Sequence, residues 1–433
     1  QIEPFLDSFR QPKPYLQTKL PLGNNYFCGR DIELQEIHTL LQQEKFLLLH
    51  GVGGIGKTEL AKHYAMTYAE EYDAVVFVRF LDSMENTILS DTNFPIVHCT
   101  RSEGESDAAY LERKLQVLRQ ICTLRHLILL DNFDTGDCEN LDFLTELPCP
   151  ILVTSRVDYD GIFPQYEVDI LSDESALYQM MAYYTKREPD LYTDAILKAL
   201  NGHTMAVELV AKQMALHQLT SREMYEKLCA EGISGDDGKV RQLKDSTLRE
   251  KTAFHHMEIL FSVLDLSESE KQVLRCAALV GATSMERQYF EVISDLNEAE
   301  ISSLDRLIQS GWISEVYQNE MCTLSTHPLI VEVLCEKLRP NSRECKRILI
   351  MSGAVASYIE KSENAEQRFL SVQWLDHMAH HIQGDDPELS YFFGTMCYPH
   401  SSVLSELGEF QDCNIIAAEA LECFQKNFGE LHE

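Results

Sequence analysis

The stretch LLLHGVGGIGKTELAKHYA, residues 47–65, decides the fold of this 433-residue chain. An apolar run enters a glycine-rich turn, which is followed by a lysine, a threonine and an amphipathic segment with Leu60, Ala61 and Tyr64 on one face. The spacing G-x-x-x-x-G-K-T, between a strand pattern and a helix pattern, is that of a P-loop. We therefore predict a strand, a phosphate-binding loop and a helix here.

The loop can enclose phosphates because its glycines let backbone N–H groups turn inward, and because the helix that follows presents its positive end. Lys57 is expected to reach the β- and γ-phosphates, and the Thr58 hydroxyl to bind Mg²⁺. The predicted ligands are therefore ATP or ADP with Mg²⁺. The residues expected to line the nucleotide in this loop are Gly51, Gly53, Gly54, Ile55, Gly56, Lys57, Thr58 and Glu59.

Short apolar runs alternate with helical patterns between residues 26 and 172, which is typical of a parallel sheet buried on both faces. We therefore predict an α/β P-loop NTPase domain over 26–172. The predicted strands are FLLLH (46–50), AVVFVRF (74–80), HLILLD (126–131), PILVTS (150–155) and YEVDIL (166–171).

After Leu171 the pattern becomes helical. GWISEVYQNEMCTLS (311–325) predicts two strands joined at Gln318-Asn319, and three helices with such a pair suggest a winged helix. Residues 404–424 match a tetratricopeptide template in part, so we expect a repeat array that continues past Glu433. The predicted domains are a linker at 1–25, the nucleotide domain at 26–172, a helical domain at 173–245, a winged helix at 246–340 and a helical, TPR-like region at 341–433.

HLILLDNFD (126–134) supplies the predicted catalytic carboxylates. Asp131 ends a strand at the sheet edge where ligands bind, so it is expected to contact the Mg²⁺. Asn132 can orient a water but cannot accept its proton, and Asp134 could substitute from two residues on. We therefore predict slow ATP hydrolysis. Arg156, at the end of ILVTSR, is expected to bind the γ-phosphate, with an ordinary surface salt bridge as the alternative.

The formal charge of −32 makes nucleic-acid binding improbable, because such a surface repels phosphate backbones. It serves solubility or suits a basic partner. No apolar run is long enough for a membrane span. The thirteen cysteines form no CxxC pair, and scattered thiols suit a reducing cytoplasm. His377 and His381 have a metal-compatible spacing but no evident third ligand, so we expect an ordinary helical pair.

In these motifs the chain resembles the NB-ARC branch of the STAND ATPases, the nucleotide switches of NLR-type immune receptors. The resemblance covers about residues 26–340. Besides GVGGIGKT, LILLDNFD and ILVTSR, it rests on FCGRD (27–31), NGHTMAVEL (201–209) and STHPLIVEVL (325–334). It departs from the family at Thr204, where proline is expected, at Asn132, where a second acid is common, and at Pro328.

The resemblance implies site residues outside the loop. Phe27, Cys28 and Arg30 would lie against adenine, and Gly202 to Met205, including Thr204, would close its other side. His327 would bond the β-phosphate of ADP; without the resemblance it would be taken as a structural histidine.

Two principal functions remain open. The first is a cytoplasmic signalling or defence switch that is autoinhibited with ADP. On sensing a protein or peptide ligand through its C-terminal repeats, it would take up ATP and self-associate. The alternative is a P-loop ATPase that turns over continuously to drive remodelling or transcription regulation. A weaker third hypothesis is an adaptor with a static nucleotide.

Overall fold

The chain forms two compact units, Gln1–Ala176 and Leu177–Glu433. The computed structural model describes residues 12–20, 23, 26–81, 83–91, 93–102, 104–135, 141–159, 161–171, 174–232, 246–297, 300–318, 321–361 and 365–382. None of the described helices is both long and apolar enough to cross a bilayer.

The first unit alternates strands and helices. Its described strands are β1 Tyr15–Leu16, β2 Phe46–His50, β3 Ala74–Arg79, β4 Ile96–Val97, β5 His126–Asp131, β6 Ile151–Ser155 and β7 Gln165–Glu167. Its described helices are α1 Asp31–Glu44, α2 Lys57–Thr67, α3 Met84–Leu89, α4 Asp107–Ile121 and α5 Asp142–Thr145, with a short 3₁₀ turn at Ala69–Glu71.

Five of the described strands form a parallel sheet in the order β3-β5-β6-β2-β7, which confirms the predicted α/β domain. The carboxyl ends of β2, β5 and β6 therefore meet at one edge. The last strand is shorter than predicted: β7 ends at Glu167. Beyond it, the Ile170 N–H bonds the Asp169 side chain and Arg30 holds the Asp169 carbonyl, so the backbone leaves the ladder.

Side chains alternate between the two faces of this sheet, as period-two strands require. One face, with Leu49 and Leu129, packs beneath α1 and α2, whose Ile37, Leu60 and Tyr64 are fully buried. The opposite face packs against α4 and the segments around α3 and α5. The helix that carries Lys57 and Thr58 is thereby fixed over the same face as Leu49 and Leu129.

The segment predicted as a linker forms part of a separate two-stranded sheet and one bridge to the edge of the five-stranded sheet. Tyr15–Leu16 pairs antiparallel with Ile96–Val97, and Lys19 pairs with Val76 on the outer edge of β3. The Lys19 N–H donates to Val75 O (2.8 Å) and Phe77 N–H donates to Lys19 O (3.1 Å). Pairings of two residues have no period, so the sequence did not indicate them.

The second unit is mainly helical. Its described helices, of which the first begins in the last residues of the first unit, are α6 Glu174–Thr185, α7 Leu191–Ala199, α8 Thr204–Leu216, α9 Ser221–Ala230, α10 Ser246–Ser262, α11 Glu268–Val280, α12 Arg287–Ile293, α13 Ile301–Gln309, α14 Pro328–Leu338, α15 Lys346–Ile359 and α16 Ala365–His381. Its described strands are β8 Met285–Glu286, β9 Ser314–Gln318 and β10 Met321–Ser325, in the antiparallel order β8-β10-β9.

Two local predictions for this unit are confirmed. The predicted strand pair is β9 and β10, joined in antiparallel register from Ser314↔Ser325 to Gln318↔Met321. The break at Asn201-Gly202 separates α7 from α8, because both residues adopt the left-handed conformation that ends a helix, with φ of 53° and 67°.

Other predictions fall on residues outside this description. The linker GISGDDGK lies outside it apart from its first residue, Gly232. The tetratricopeptide match at 404–424 lies wholly outside it. Of the predicted helical region from 341 onward, the described residues contain α15 and α16, which ends at His381.

Candidate nucleotide-binding site

The glycine-rich loop runs from the end of β2 to the start of α2. Gly51 has a φ of 150°, and a Cβ there would lie 2.4 Å from the Val168 carbonyl oxygen. Gly54 and Gly56 also adopt positive φ angles, 75° and 104°. Three glycines thus hold backbone conformations that other residues rarely adopt, and the loop curves against the segment after β7. This glycine cradle fits the phosphates of a nucleotide.

Lys57 lies inside the curve of this loop. Its side chain is largely buried, and Nζ donates hydrogen bonds to the carbonyl oxygens of Gly51 (2.7 Å) and Val52 (3.0 Å). These contacts hold the ammonium group within the concavity that the glycines form. Phosphate oxygens are stronger acceptors than carbonyls because the hydrogen bond is charge-assisted at both ends.

Asp131 connects the helix after the loop to two strands of the sheet. Its Oδ1 accepts a hydrogen bond from Thr58 Oγ1 (2.7 Å) and another from Thr154 Oγ1 (2.7 Å). Thr154 Oγ1 in turn accepts from the Asn132 N–H (3.0 Å). The carboxylate is 2% exposed. We call Thr58, Asp131 and Thr154 the hydroxyl–carboxylate network.

This network fits Mg²⁺, which prefers oxygen ligands and is usually bound by one or two protein oxygens with phosphates and water. Among the described residues, no group of three or more His, Cys, Asp or Glu side chains is suited to a metal. Sequence reasoning assigned no role to Thr154. The available signal was its position on a neighbouring parallel strand, near the sheet edge where Asp131 ends β5.

Asn132 and Asp134 follow Asp131 in different environments. Asn132 adopts a left-handed backbone conformation, with a φ of 61°. Asp134 is bound by Arg156: Nε donates to Oδ2 (2.8 Å) and the Arg156 backbone N–H donates to Oδ1 (2.6 Å). Both oxygens of the Asp134 carboxylate are therefore engaged by Arg156, and the two residues form a partly exposed ion pair.

Arg30 is placed as a support for the loop. Its Nη2 donates to the carbonyl oxygens of Ile55 (3.2 Å) and Asp169 (2.8 Å), and its Nη1 bonds Glu33 (2.9 Å). The side chain is 4% exposed. One guanidinium thus joins the P-loop, the start of α1 and the segment after β7. Its predicted contact with adenine stays a prediction.

Phe27 and Cys28 lie at the start of α1. The Phe27 ring stacks on His63 of α2, with centroids 3.8 Å apart and an angle of 11° between the planes. Cys28 Sγ lies 3.6 Å from the Ala176 carbonyl. Both residues therefore sit beside the P-loop helix or the start of α6, and their adenine contacts also stay predictions.

The remaining predicted residues belong to the second unit. Thr204 and Met205 open α8, where His203 is the N-cap and its Nδ1 accepts from the Ala206 N–H (3.3 Å). His327 is the N-cap of α14, and its Nδ1 accepts from the Leu329 N–H (3.2 Å). Because Nδ1 accepts, the neutral His327 ring carries its proton on Nε2. The nucleotide contacts of these residues stay predictions.

Comparison with solved structures identifies the fold. The chain is similar to the signal transduction ATPase with numerous domains (STAND) protein with a tetratricopeptide repeat sensor from Pyrococcus horikoshii. The TM-score is 0.54 at 14% sequence identity, over 96% of this chain and 60% of that protein. The chain thus spans less than two thirds of that protein, and the likeness shows a STAND-like P-loop ATPase fold.

Two further matches are more distant. The Walker-type ATPase of Pyrococcus abyssi has a TM-score of 0.35 at 15% identity, over 74% of this chain and 98% of that protein. A DNA replication initiation factor has a TM-score of 0.27 at 13% identity, over 84% of this chain and 99% of that protein. No protein-family model and no curated protein matches this sequence.

Proposed function

We propose that this chain binds ATP or ADP with Mg²⁺ and works as a STAND-type switch of signalling or defence. The observation that carries the proposal is the hydroxyl–carboxylate network beside the glycine loop. It brings Thr58 and Asp131, which are 73 positions apart in the sequence, to 2.7 Å. Few structural needs would place a buried carboxylate against a P-loop hydroxyl, whereas a nucleotide-bound Mg²⁺ requires it.

Each group in the site has a role in this proposal. Lys57 holds the β- and γ-phosphates, and the loop N–H groups surround them. Thr58 and Asp131 hold Mg²⁺, which supplies charge neutralisation for the phosphates. Thr154 keeps the Asp131 carboxylate oriented, and Arg30 keeps the loop in place through the Ile55 carbonyl.

The pairing of Asp134 with Arg156 supports slow hydrolysis. A general base must lie within hydrogen-bond reach of the attacking water. Asn132 cannot accept a proton, and hydrogen bonds from Arg156 to both oxygens hold the Asp134 carboxylate in one orientation. In this proposal the Arg156 guanidinium also contacts the γ-phosphate. A protein that hydrolyses slowly can hold one nucleotide state long enough to act as a switch.

The switch requires the second unit. In this proposal Phe27, Cys28, Thr204 and Met205 enclose adenine, and the Nε2–H of His327 donates to the β-phosphate of ADP. The order helix, short strand, two helices and strand pair over residues 268–325 suits a winged helix, which would carry His327 at its end. Ligand binding to C-terminal repeats would release ADP, admit ATP and permit self-association in the cytoplasm.

The test is nucleotide binding and turnover by the purified chain. We expect bound or tightly binding ADP, and ATP hydrolysis far below the roughly 1–100 s⁻¹ of kinases. Lys57→Ala should abolish binding. Lys13→Ala is the control, because Lys13 is an exposed lysine of the same unit and lies outside the predicted site. Rapid multiple turnover by the wild type would instead favour the continuously cycling ATPase, and equal binding by both variants would reject the site.

A further inference from the structure

Arg79 occupies a position that neither the motifs nor the fold comparison assigns to the site. It is the last residue of β3 and pairs in register with Asp131, the last residue of β5. The next N–H, that of Phe80, donates to the Asp131 carbonyl (2.8 Å). Neighbouring strands lie about 4.8 Å apart. Arg79 is therefore one strand away from the carboxylate of the hydroxyl–carboxylate network.

The side chains of Arg79 and Asp131 share one face of the sheet. Val75 and Phe77 of β3, and Leu127 and Leu129 of β5, all belong to the core beneath α1 and α2. Since strand side chains alternate with period two, the next residue on that face is Arg79 in β3 and Asp131 in β5. This is the face over which α2 presents Lys57 and Thr58.

A buried amide fixes the backbone of Arg79. Asn93 Oδ1 accepts from the Arg79 N–H (3.0 Å), and Asn93 Nδ2 donates to the Arg79 carbonyl (2.7 Å). Asn93 is 9% exposed. Both polar backbone groups of Arg79 are thus held by one side chain, which sets where the guanidinium starts relative to Asp131.

We infer that Arg79 binds the γ-phosphate of ATP and thereby makes the site favour ATP over ADP. The inference rests on the proposed function. β3 is the neighbour of β5 in the order β3-β5-β6-β2, so Arg79 ends its strand at the same sheet edge as Asp131 and the hydroxyl–carboxylate network. A guanidinium suits this task because its planar fork donates two parallel hydrogen bonds to a phosphate. Arg156 Nε donates to Asp134, so Arg79 would be a second cation for the γ-phosphate beside Arg156.

The test compares the dissociation constants of Mg²⁺ complexes of ADP and of a non-hydrolysable ATP analogue, measured by titration calorimetry on the full chain. The variants are Arg79→Gln, which removes the charge, and Arg79→Lys, which keeps it but loses the fork. Arg119→Ala is the control, because Arg119 lies on α4, is exposed and pairs with Glu146 (2.7 Å). Far-UV circular dichroism verifies that each variant folds.

We expect Arg79→Gln to weaken binding of the ATP analogue by about tenfold or more, the effect of one charge-assisted hydrogen bond, and that of ADP by less than about threefold. Arg79→Lys should be intermediate, and Arg119→Ala should match the wild type. An equal loss of affinity for both nucleotides, or no loss of affinity, overturns the inference while the proposed function stands. If the wild type binds neither nucleotide, both this inference and the proposed function fail. If Arg79→Gln does not fold, the ratio of the ADP and ATP-analogue dissociation constants in Arg79→Lys decides.

Discussion

A single substitution can remove one of the contacts that hold the residues of the site in place. Asp131 is buried and depends on the hydroxyls of Thr58 and Thr154 for hydrogen bonds to Oδ1. Gly51 has no space for a side chain because the Val168 carbonyl lies against it. Burying a charged group is costly unless hydrogen bonds compensate, so these contacts constrain stability as well as ligand binding.

Substitution of Gly51 by alanine should destabilise the first unit. The new Cβ would lie 2.4 Å from the Val168 oxygen at a φ of 150°, so the loop must move. We expect a loss of about 2 kcal/mol or more in the free energy of unfolding, measured by urea denaturation. Gly161→Ala is the control, since its φ is 74° with no atom within 4 Å of the new Cβ. It should cost about 1 kcal/mol, and equal losses would contradict the steric argument.

Substitution of Asn132 by aspartate tests the proposal that a missing base slows hydrolysis. Aspartate tolerates the left-handed backbone that Asn132 adopts. The new carboxylate would add a base beside Asp131, and the rate of phosphate release should rise by about tenfold or more. Asn132→Gln, which cannot accept a proton, should not accelerate it. An unchanged rate in Asn132→Asp would show that a missing base is not the cause.

At the scale of elements, α16 packs on α11 through a partly buried histidine. His377 Nδ1 lies 3.1 Å from the Leu279 carbonyl in the last turn of α11, and Gly281 follows with a φ of 76°. A Cβ at Gly281 would lie 2.6 Å from the His377 ring, so only glycine admits this packing. His377 and His381 stack, with ring centroids 3.9 Å apart.

This histidine should make the second unit sensitive to acid. Burial, reinforced by the nearby His381, lowers the pKa of His377 to about 4, whereas the unfolded chain keeps about 6.5. As pH falls below about 6.5 the unfolded state binds a proton that the folded state resists, so stability decreases. Between pH 6.5 and 5 we expect a loss of about 1–2 kcal/mol from His377 alone.

Tryptophan fluorescence during urea denaturation measures this loss, because Trp312 and Trp374 are the chain's two tryptophans and both are buried in the second unit. His377→Gln should flatten the dependence on pH. His380→Gln should leave it unchanged, since His380 is exposed. The same pH slope in His377→Gln and the wild type would exclude His377 as the source.

At the scale of the whole molecule, the two compact units give the proposed switch a direct thermodynamic signature. The P-loop and the hydroxyl–carboxylate network belong to the first unit, whereas His203, Thr204 and His327 belong to the second. A ligand that contacts both units stabilises both against unfolding. A ligand that contacts one unit stabilises that unit alone, by about 2.7 kcal/mol at a hundred times the dissociation constant.

If His327 binds ADP, Mg²⁺–ADP should raise the unfolding temperature seen by tryptophan fluorescence, which reports on the second unit. His327→Ala should remove that increase while nucleotide binding at the P-loop persists, and Lys57→Ala should remove both. If ADP instead shifts only the calorimetric unfolding transition of the first unit and leaves the fluorescence transition unchanged, that result rejects the ADP contact that the resemblance implies for His327.

Much of the nucleotide domain could be predicted because its signals are local. The apolar runs beside GVGGIGKT predict a parallel sheet that is buried on both faces. The position of Asp131 at the end of one of these strands predicts that it lies at the ligand-binding edge. The pairing of Tyr15–Leu16 with β4 could not be predicted, because its pattern is too short. The placement of Arg30 against Ile55 and Asp169 likewise depends on residues distant in sequence.

The sequence by itself determined the P-loop, the parallel α/β sheet and the residue types available for Mg²⁺ and phosphate. Strand order and register, which only the tertiary structure decided, place Thr154 on Asp131, Arg156 on Asp134 and Arg79 beside Asp131. The physical reason is that spacing within one segment fixes which face a side chain occupies, whereas its neighbours on other strands depend on how distant segments pack.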